Sequence, residues 1–184
     1  MRSTVALAML IACFALATPS CRKLDFFRRR EPAPTASAGP RVGTPAPEID
    51  GETFDGKRVK LSDYRGKVVV LSFWFAGCGP CRAMIPHERE LVERYRDKPF
   101  AMLGIYGAAD YDEAIRVMNE KNVTWPVVKT SNGPKQITEI YGVSRFPVTV
   151  VIDADGIIRA AELGCVSLDP IVARLVAEAE RKRN

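Results

Sequence analysis

The alternation of apolar and polar positions divides the chain into an ordered series of strands and helices. The run Val68-Val69-Val70-Leu71-Ser72-Phe73-Trp74-Phe75 is almost wholly apolar and rich in β-branched and aromatic side chains, which predicts a buried strand over residues 68–75. From about residue 80 to 96 the period changes. Met84, Ile85, Leu91, Val92 and Tyr95 form one apolar helical face, and Pro86 predicts a kink. Residues 100–106 read as a second strand and 111–121 as an amphipathic helix; Trp125-Pro126-Val127-Val128 is a short extended piece, and residues 135–141 a short helix. Residues 148–152 and 157–163 form a hairpin turning at Asp153-Ala154-Asp155-Gly156, and a closing helix covers 169–181. Ahead of all these, residues 49–54 and 58–61 flank the turn signal Asp55-Gly56, a small leading hairpin. The order predicts an α/β fold: a mixed central β-sheet flanked by helices.

The first forty residues follow another pattern. Residues 5–17 are continuously apolar after Arg2, the layout of a secretory signal, and fall short of the roughly 20 apolar residues of a transmembrane helix. Ala15-Leu16-Ala17 offers a small-residue cleavage site. Cys13, after Leu10-Ile11-Ala12, and Cys21, after Thr18-Pro19-Ser20, are rival lipid-attachment points, and the basic residues Arg22, Lys23 and Arg28 to Arg30 leave an uncleaved anchor open. Residues 31–47 are dense in Pro, Ala, Ser, Thr and Gly, a composition that buries little. The expected division is a signal peptide or lipoprotein signal/anchor at 1–21, a flexible Pro/Ala-rich linker at 22–40 and a folded domain at 41–184. An extracytoplasmic location follows, periplasmic or cell-envelope, with a membrane tether through the N-terminus as one form of it.

Length and charge narrow the rest. A chain of 184 residues has room for one domain besides that leader, and 47% hydrophobic with 27% charged residues is ordinary for a globular protein. The net charge of +5 is spread along the chain except for Arg28-Arg29-Arg30 and Arg181-Lys182-Arg183, two terminal, solvated runs, so nucleic acid is not an expected partner.

Cys78-Gly79-Pro80-Cys81 falls at the junction of the apolar strand and the following helix. Two thiols one helical turn apart can close on each other and exchange two electrons reversibly. At a helix N-terminus the free N–H groups and the positive end of the dipole favour thiolate, the nucleophilic form, on Cys78. Pro80 suits the first helical turn because its missing N–H is not needed there, and Gly79 allows a partner disulfide to approach closely. Cys81 is expected to be the more shielded thiol.

These features together resemble the thioredoxin superfamily, and within it the extracytoplasmic TlpA- and ResA-like thiol–disulfide oxidoreductases. The resemblance spans about residues 41–184. It rests on the leading hairpin, on Leu61-Ser62-Asp63-Tyr64-Arg65-Gly66-Lys67 before the strand, on Phe73-Trp74 followed by Cys78-Gly79-Pro80-Cys81-Arg82, on Pro86, on the inserted helix 111–121, and on Tyr141-Gly142-Val143 followed by Pro147. It implies a thioredoxin fold with an N-terminal β-hairpin and an inserted helix. It further implies that Cys78 attacks a protein disulfide, that Cys81 resolves the mixed disulfide, and that a membrane thiol carrier supplies electrons, with cytochrome c maturation as one setting. Trp74, Gly79, Pro80, Phe146 and Pro147 become the expected substrate-binding residues, with a cis peptide between Phe146 and Pro147. From the residues alone that bond reads equally as a trans proline opening an edge strand. No metal or other cofactor is expected. The Gly-Pro pair resembles that of the reducing members.

The chain also departs from the pattern. Gly77 stands where relatives carry Trp, which removes an aromatic wall and loosens the loop. An acid is expected six residues before the first cysteine or shortly after the second, and these positions hold Ser72 and Met84. Glu88 lies on the helical face of Cys81, with His87 about 100° round. Both are expected to be solvated surface residues, service by Glu88 through water being the lesser reading, so no carboxylate is expected to activate Cys81. Cys165 reads as a buried structural thiol, with a second redox role as its alternative. Two rival functions remain. A redoxin-type thiol peroxidase needs Pro-x-x-x-Thr-x-x-Cys, and the positions before Cys78 are Leu71 and Phe75. A non-catalytic thioredoxin-like binding module has no use for the complete thiol pair.

Overall fold

In the computed structural model, which describes residues 41–130, 136–163 and 168–183, the apolar run forms the centre of the molecule. The strands are β1 (Asp50–Glu52), β2 (Arg58–Lys60), β3 (Val68–Trp74), β4 (Phe100–Tyr106), β5 (Val127–Lys129), β6 (Val148–Ile152) and β7 (Ile158–Leu163). The helices are α1 (Gly79–Arg94), α2 (Tyr111–Glu120), α3 (Ile137–Ile140) and α4 (Asp169–Arg183). A five-stranded sheet runs in the order β5-β4-β3-β6-β7, with β3, β4 and β5 parallel and β6 and β7 antiparallel to their neighbours. The expected mixed sheet with flanking helices is therefore present, and β1 and β2 pair as the leading hairpin.

Every residue of β3 is buried, because both of its faces carry a layer. Strand alternation sends Val68, Val70 and Trp74 to one side, where they meet Cys81, Ile85 and Leu91 of α1 and Val172, Leu175 and Val176 of α4. Val69, Leu71 and Phe73 face the other side, against Leu103, Ile105, Ile137 and Tyr141 and the hairpin residues Ile49 and Val59. An apolar run with no polar alternation is what such double coverage selects.

Backbone pairs with part of each sheet edge, which shortens the edge open to another chain. The backbone of residues 43–46 runs along the start of β7, with Gly43 N–H on the Ile158 carbonyl (2.8 Å), Ile158 N–H on Thr44 (3.0 Å) and Ala46 N–H on Gly156 (2.9 Å). The hairpin covers β5: Phe54 N–H donates to the Val127 carbonyl at 3.1 Å. A Cβ on Gly51 would stand 2.4 Å from Val128 Cγ1, so only glycine allows that approach.

Element ends differ from the sequence reading by one or two residues, each for a local reason. β3 stops at Trp74 because Phe75 already turns toward the helix, α1 begins at Gly79 because Cys78 caps it, and Leu61 starts a 3-10 turn (Leu61–Tyr64) instead of finishing β2. Lys135 and Cys165 lie outside the described residues.

The β6–β7 turn shows how a buried charge is held. Asp153 Oδ1 accepts from the N–H groups of Asp155 (3.0 Å) and Ile157 (2.9 Å), and Oδ2 accepts from Arg159 Nε (2.5 Å). Burial opposes the charge, but these donors outweigh it and hold the carboxyl below the usual aspartate value. Such a group contributes stability above its unfolded pKa, and the contribution is lost as pH falls through the folded value. Asp153→Ala is expected to lower unfolding free energy by about 2 kcal/mol or more at neutral pH. Urea titrations should show that deficit shrinking as the pH drops below about 4; a deficit constant down to acid would contradict the assignment.

Candidate active site

Past Trp74 the chain leaves the sheet and makes a tight turn into α1. Cys78 N–H donates to the Phe75 carbonyl (3.1 Å), and Ala76 N–H donates to the Tyr106 hydroxyl (3.2 Å). That hydroxyl in turn donates to Asp110 Oδ1 at 2.6 Å, so the turn is tied to β4 and to the residue before α2. Cys78 is the N-cap of α1, with extended backbone (φ −82°, ψ 100°), and its sulfur accepts from the Cys81 N–H at 3.1 Å. Pro80 occupies the first helical turn, where no partner for an N–H is required. The sulfurs of Cys78 and Cys81 are bonded at 1.99 Å, with Cα atoms 5.2 Å apart.

Cys78 and Cys81 are 6% and 3% exposed, so both are shielded and the expected contrast between them is small. Gly77, Gly79 and Pro80 form an exposed rim around the pair. The first turn of α1 carries no acid, so nothing on it opposes the pull of the helix N-terminus on a sulfur anion.

Two glycines of the β4 region make room for the aromatic residues beside the pair. Trp74 is buried at 4% exposure and packs edge-on against Tyr106, with ring centres 5.0 Å apart. Across the sheet a Cβ on Gly104 would stand 3.2 Å from the indole Nε1. Phe146 lies over Gly107, whose Cβ would fall 2.4 Å from the ring, and it meets Phe75 edge-to-face at 5.3 Å. The Phe146–Pro147 peptide is cis. Gly77 does not leave the loop without an aromatic neighbour: the Phe75 ring lies 3.2 Å from where its Cβ would be. Phe75 and Phe146, both partly exposed, form an aromatic ledge at this end.

The treatment of Glu88 as a solvated residue is overturned. Glu88 is 5% exposed, on the buried stripe of α1 with Cys81, Ile85 and Leu91, and its Oε1 accepts from Ser72 Oγ at 2.5 Å. Burial pushes the carboxyl up to about 7, opposed by the Ser72 hydrogen bond and the neighbouring His87. Ser72 and Met84, which stand at the two positions where an acid is expected, both lie near this carboxylate: Ser72 bonds it, and Met84 lines the same small cavity. His87 is half-exposed, with Nε2 2.9 Å from Asp169 Oδ1. The sequence did hold a signal. Ser72 is the one polar residue of the apolar run, and strand alternation aims it at the helix face that carries Glu88.

A strand that ends in a helix-capping cysteine, a second cysteine one turn on, and a cis-proline segment beside them make a site for thiol–disulfide exchange. Comparison with known proteins agrees. Residues 41–175 match the Redoxin family. The thiol-disulfide oxidoreductase ResA of Oceanobacillus iheyensis is 31% identical over 135 residues, 70% of this chain and 68% of that protein. ResA of Bacillus cereus is 31% identical over 116 residues, 62% of this chain and 65% of its own length. Among solved structures, the thioredoxin domain of a thiol-disulfide oxidoreductase from Bacteroides vulgatus superposes with a TM-score of 0.66 at 30% identity, covering 74% of this chain and 98% of that one. A thiol:disulfide interchange protein from Chlorobium tepidum gives 0.65 at 27% identity, covering 76% and 99%. The chain therefore belongs to the Redoxin family, as a thiol–disulfide oxidoreductase with a thioredoxin fold.

Proposed function

We propose that the protein reduces disulfides of exported proteins outside the cytoplasm, with Cys78 as nucleophile and Cys81 as resolving thiol. The observation that carries this reading is the closed Cys78–Cys81 bond at the start of α1, behind an exposed rim of Gly77, Gly79 and Pro80. In the reduced enzyme the Cys78 thiolate attacks a substrate disulfide, and one substrate sulfur leaves as thiolate. Cys81 then attacks Cys78, which releases the second substrate thiol and leaves the pair oxidised. A membrane thiol carrier returns two electrons. Cysteines awaiting haem attachment in cytochrome c maturation are one substrate class.

Each remaining residue has a part in this reading. Trp74 backs the pair from the core, and Gly79 and Pro80 keep the rim low and the first turn regular. Phe146 and Pro147 offer backbone to an extended substrate segment, in the manner of strand addition. The leader at 1–21 and the linker at 22–40 deliver the domain at 41–184 to the envelope and tether it there. The Gly-Pro pair favours the reducing direction.

Two results are expected. Cys81→Ala leaves Cys78 unable to be resolved, so proteins joined to it by disulfide bonds should accumulate in cell-envelope extracts and be released by dithiothreitol. A trap that captures no protein would favour the binding-module reading. Gly107→Val drives a side chain into the Phe146 ring. It should lower kcat/KM for a protein disulfide by about tenfold while leaving the reaction with a small aromatic disulfide nearly unchanged. An equal loss on both would show that the ledge does not contact substrate.

A further inference from the structure

When Cys81 attacks the mixed disulfide, its sulfur must first lose a proton, and at 3% exposure it has little water to give it to. The buried acids among the described residues are Glu88 and Asp153, and Asp153 is committed to the β6–β7 turn. Glu88 follows Cys81 by seven residues, nearly two full turns, so the two share a helix face about 10 Å apart along the axis. Helical side chains lean toward the N-terminus, and because Glu88 is the longer of the two its carboxyl reaches back further than the Cys81 sulfur does, which narrows that gap.

The Ser72 hydroxyl already donates to this carboxylate. It projects from β3 on the face of Trp74, which packs in one cluster with Cys78 and Cys81. A hydroxyl that donates to Glu88 keeps lone pairs with which to accept from a thiol. We propose that Glu88, acting through the Ser72 hydroxyl, takes up the Cys81 proton in the resolving step.

The step balances. The Cys81 proton passes to Ser72 Oγ as the Ser72 proton passes to Glu88; the Cys81 sulfur forms its bond to Cys78; the bond from Cys78 to substrate breaks, and the substrate thiolate leaves with the electron pair. Glu88 then holds the proton. A way out lies beside it, because a cavity of about 20 Å³, the size for one water, is lined by Glu88, His87, Met84 and Thr149. Thr149 pairs with Ser72 across the sheet, and its buried hydroxyl has no hydrogen-bond partner among the described residues.

The environment of Glu88 suits a proton acceptor at neutral pH. Its own helix contributes His87, β3 contributes Ser72, β6 Thr149 and β4 only Met102. From α4, Asp169 faces His87 and Arg94 (3.2 Å) and so spends its charge on them. A carboxyl raised to about 7 is half-ionised where exchange takes place, so it can both accept and release.

The proposal rests on Cys81 being the resolving thiol, and its test separates the two claims. The reduced full-length protein is mixed by stopped flow with the aromatic disulfide DTNB. Attack by Cys78 releases one thionitrobenzoate and closure by Cys81 releases a second, so the two steps are read apart. Glu88→Gln keeps the side-chain shape and an acceptor for Ser72 but removes the base. The first phase should stay within about twofold, while the second slows by about tenfold or more near pH 7. The deficit should close above about pH 9, where hydroxide ionises Cys81 directly. Ser72→Ala should slow the same phase. A second phase with the wild-type rate and pH profile in Glu88→Gln overturns the proposal, whereas a wild-type protein that releases no second equivalent overturns the reading of the pair. The wild type supplies a measurement independent of variant folding. In the reduced form the Glu88 carboxyl carbon, followed by NMR, should show a second titration step coupled to Cys81 that is missing in the oxidised form. Identical curves in both forms would count against the proposal.

Discussion

The seating of α1 on one buried face of β3 is the constraint on which the rest depends. β3, covered on both faces, lies in the middle of the sheet, and a parallel neighbour such as β4 requires a crossover connection to return the chain. The helix therefore starts where β3 ends, at the rim of the sheet. That junction is where its free N–H groups are available to a sulfur. Cys78 caps the helix and Cys81 lies one turn inside, so the two thiols meet across a single turn while the core of Val70, Trp74, Ile85 and Leu91 fixes both ends.

Rigidity at that junction comes from outside the motif. Tyr106, fully buried, spans from Asp110 to the Ala76 N–H and holds the turn before Cys78. Gly104 and Gly107 admit Trp74 and Phe146 against the β4 backbone, placing aromatic surface beside the pair where the residue directly before Cys78 is a glycine. The same packing that excludes water from Cys81 also raises the burial of Glu88. An apolar layer makes a proton hard to shed, and the hydrogen bond from Ser72 to Glu88 is a polar link within that layer.

Much of this was legible in the residues. The doubly covered strand, the cysteine pair at a helix start, the leading hairpin and the order of elements follow from hydrophobic period and from the placement of Gly, Pro and Cys. The ends of elements were less so, because Cys78 as a cap and Leu61 as the start of a 3-10 turn are decided by local hydrogen bonds. Glu88 was misread for a different reason. Hydrophobic period is carried by apolar side chains, so a charged residue on the core side of a helix is indistinguishable from surface until its partner is known. That partner, Ser72, is sixteen positions away on another element; likewise Gly107 is explained only by the Phe146 ring over it, and Gly104 by the Val127 side chain and the Trp74 indole that crowd it.

Cys78 and Cys81 are proposed to form a two-electron couple on the reducing side of the thioredoxin-fold range. Equilibration of the protein in thiol–disulfide buffers of stepped potential, with the pair followed by thiol alkylation and mass spectrometry, tests it most directly. One transition is expected, with about 30 mV for each tenfold change in the ratio, centred nearer the thioredoxin value of about −270 mV than the value of about −120 mV of a strong oxidant, and linking Cys78 to Cys81. A midpoint near about −120 mV would contradict the reducing direction, and no joint transition of Cys78 and Cys81 would contradict the couple itself.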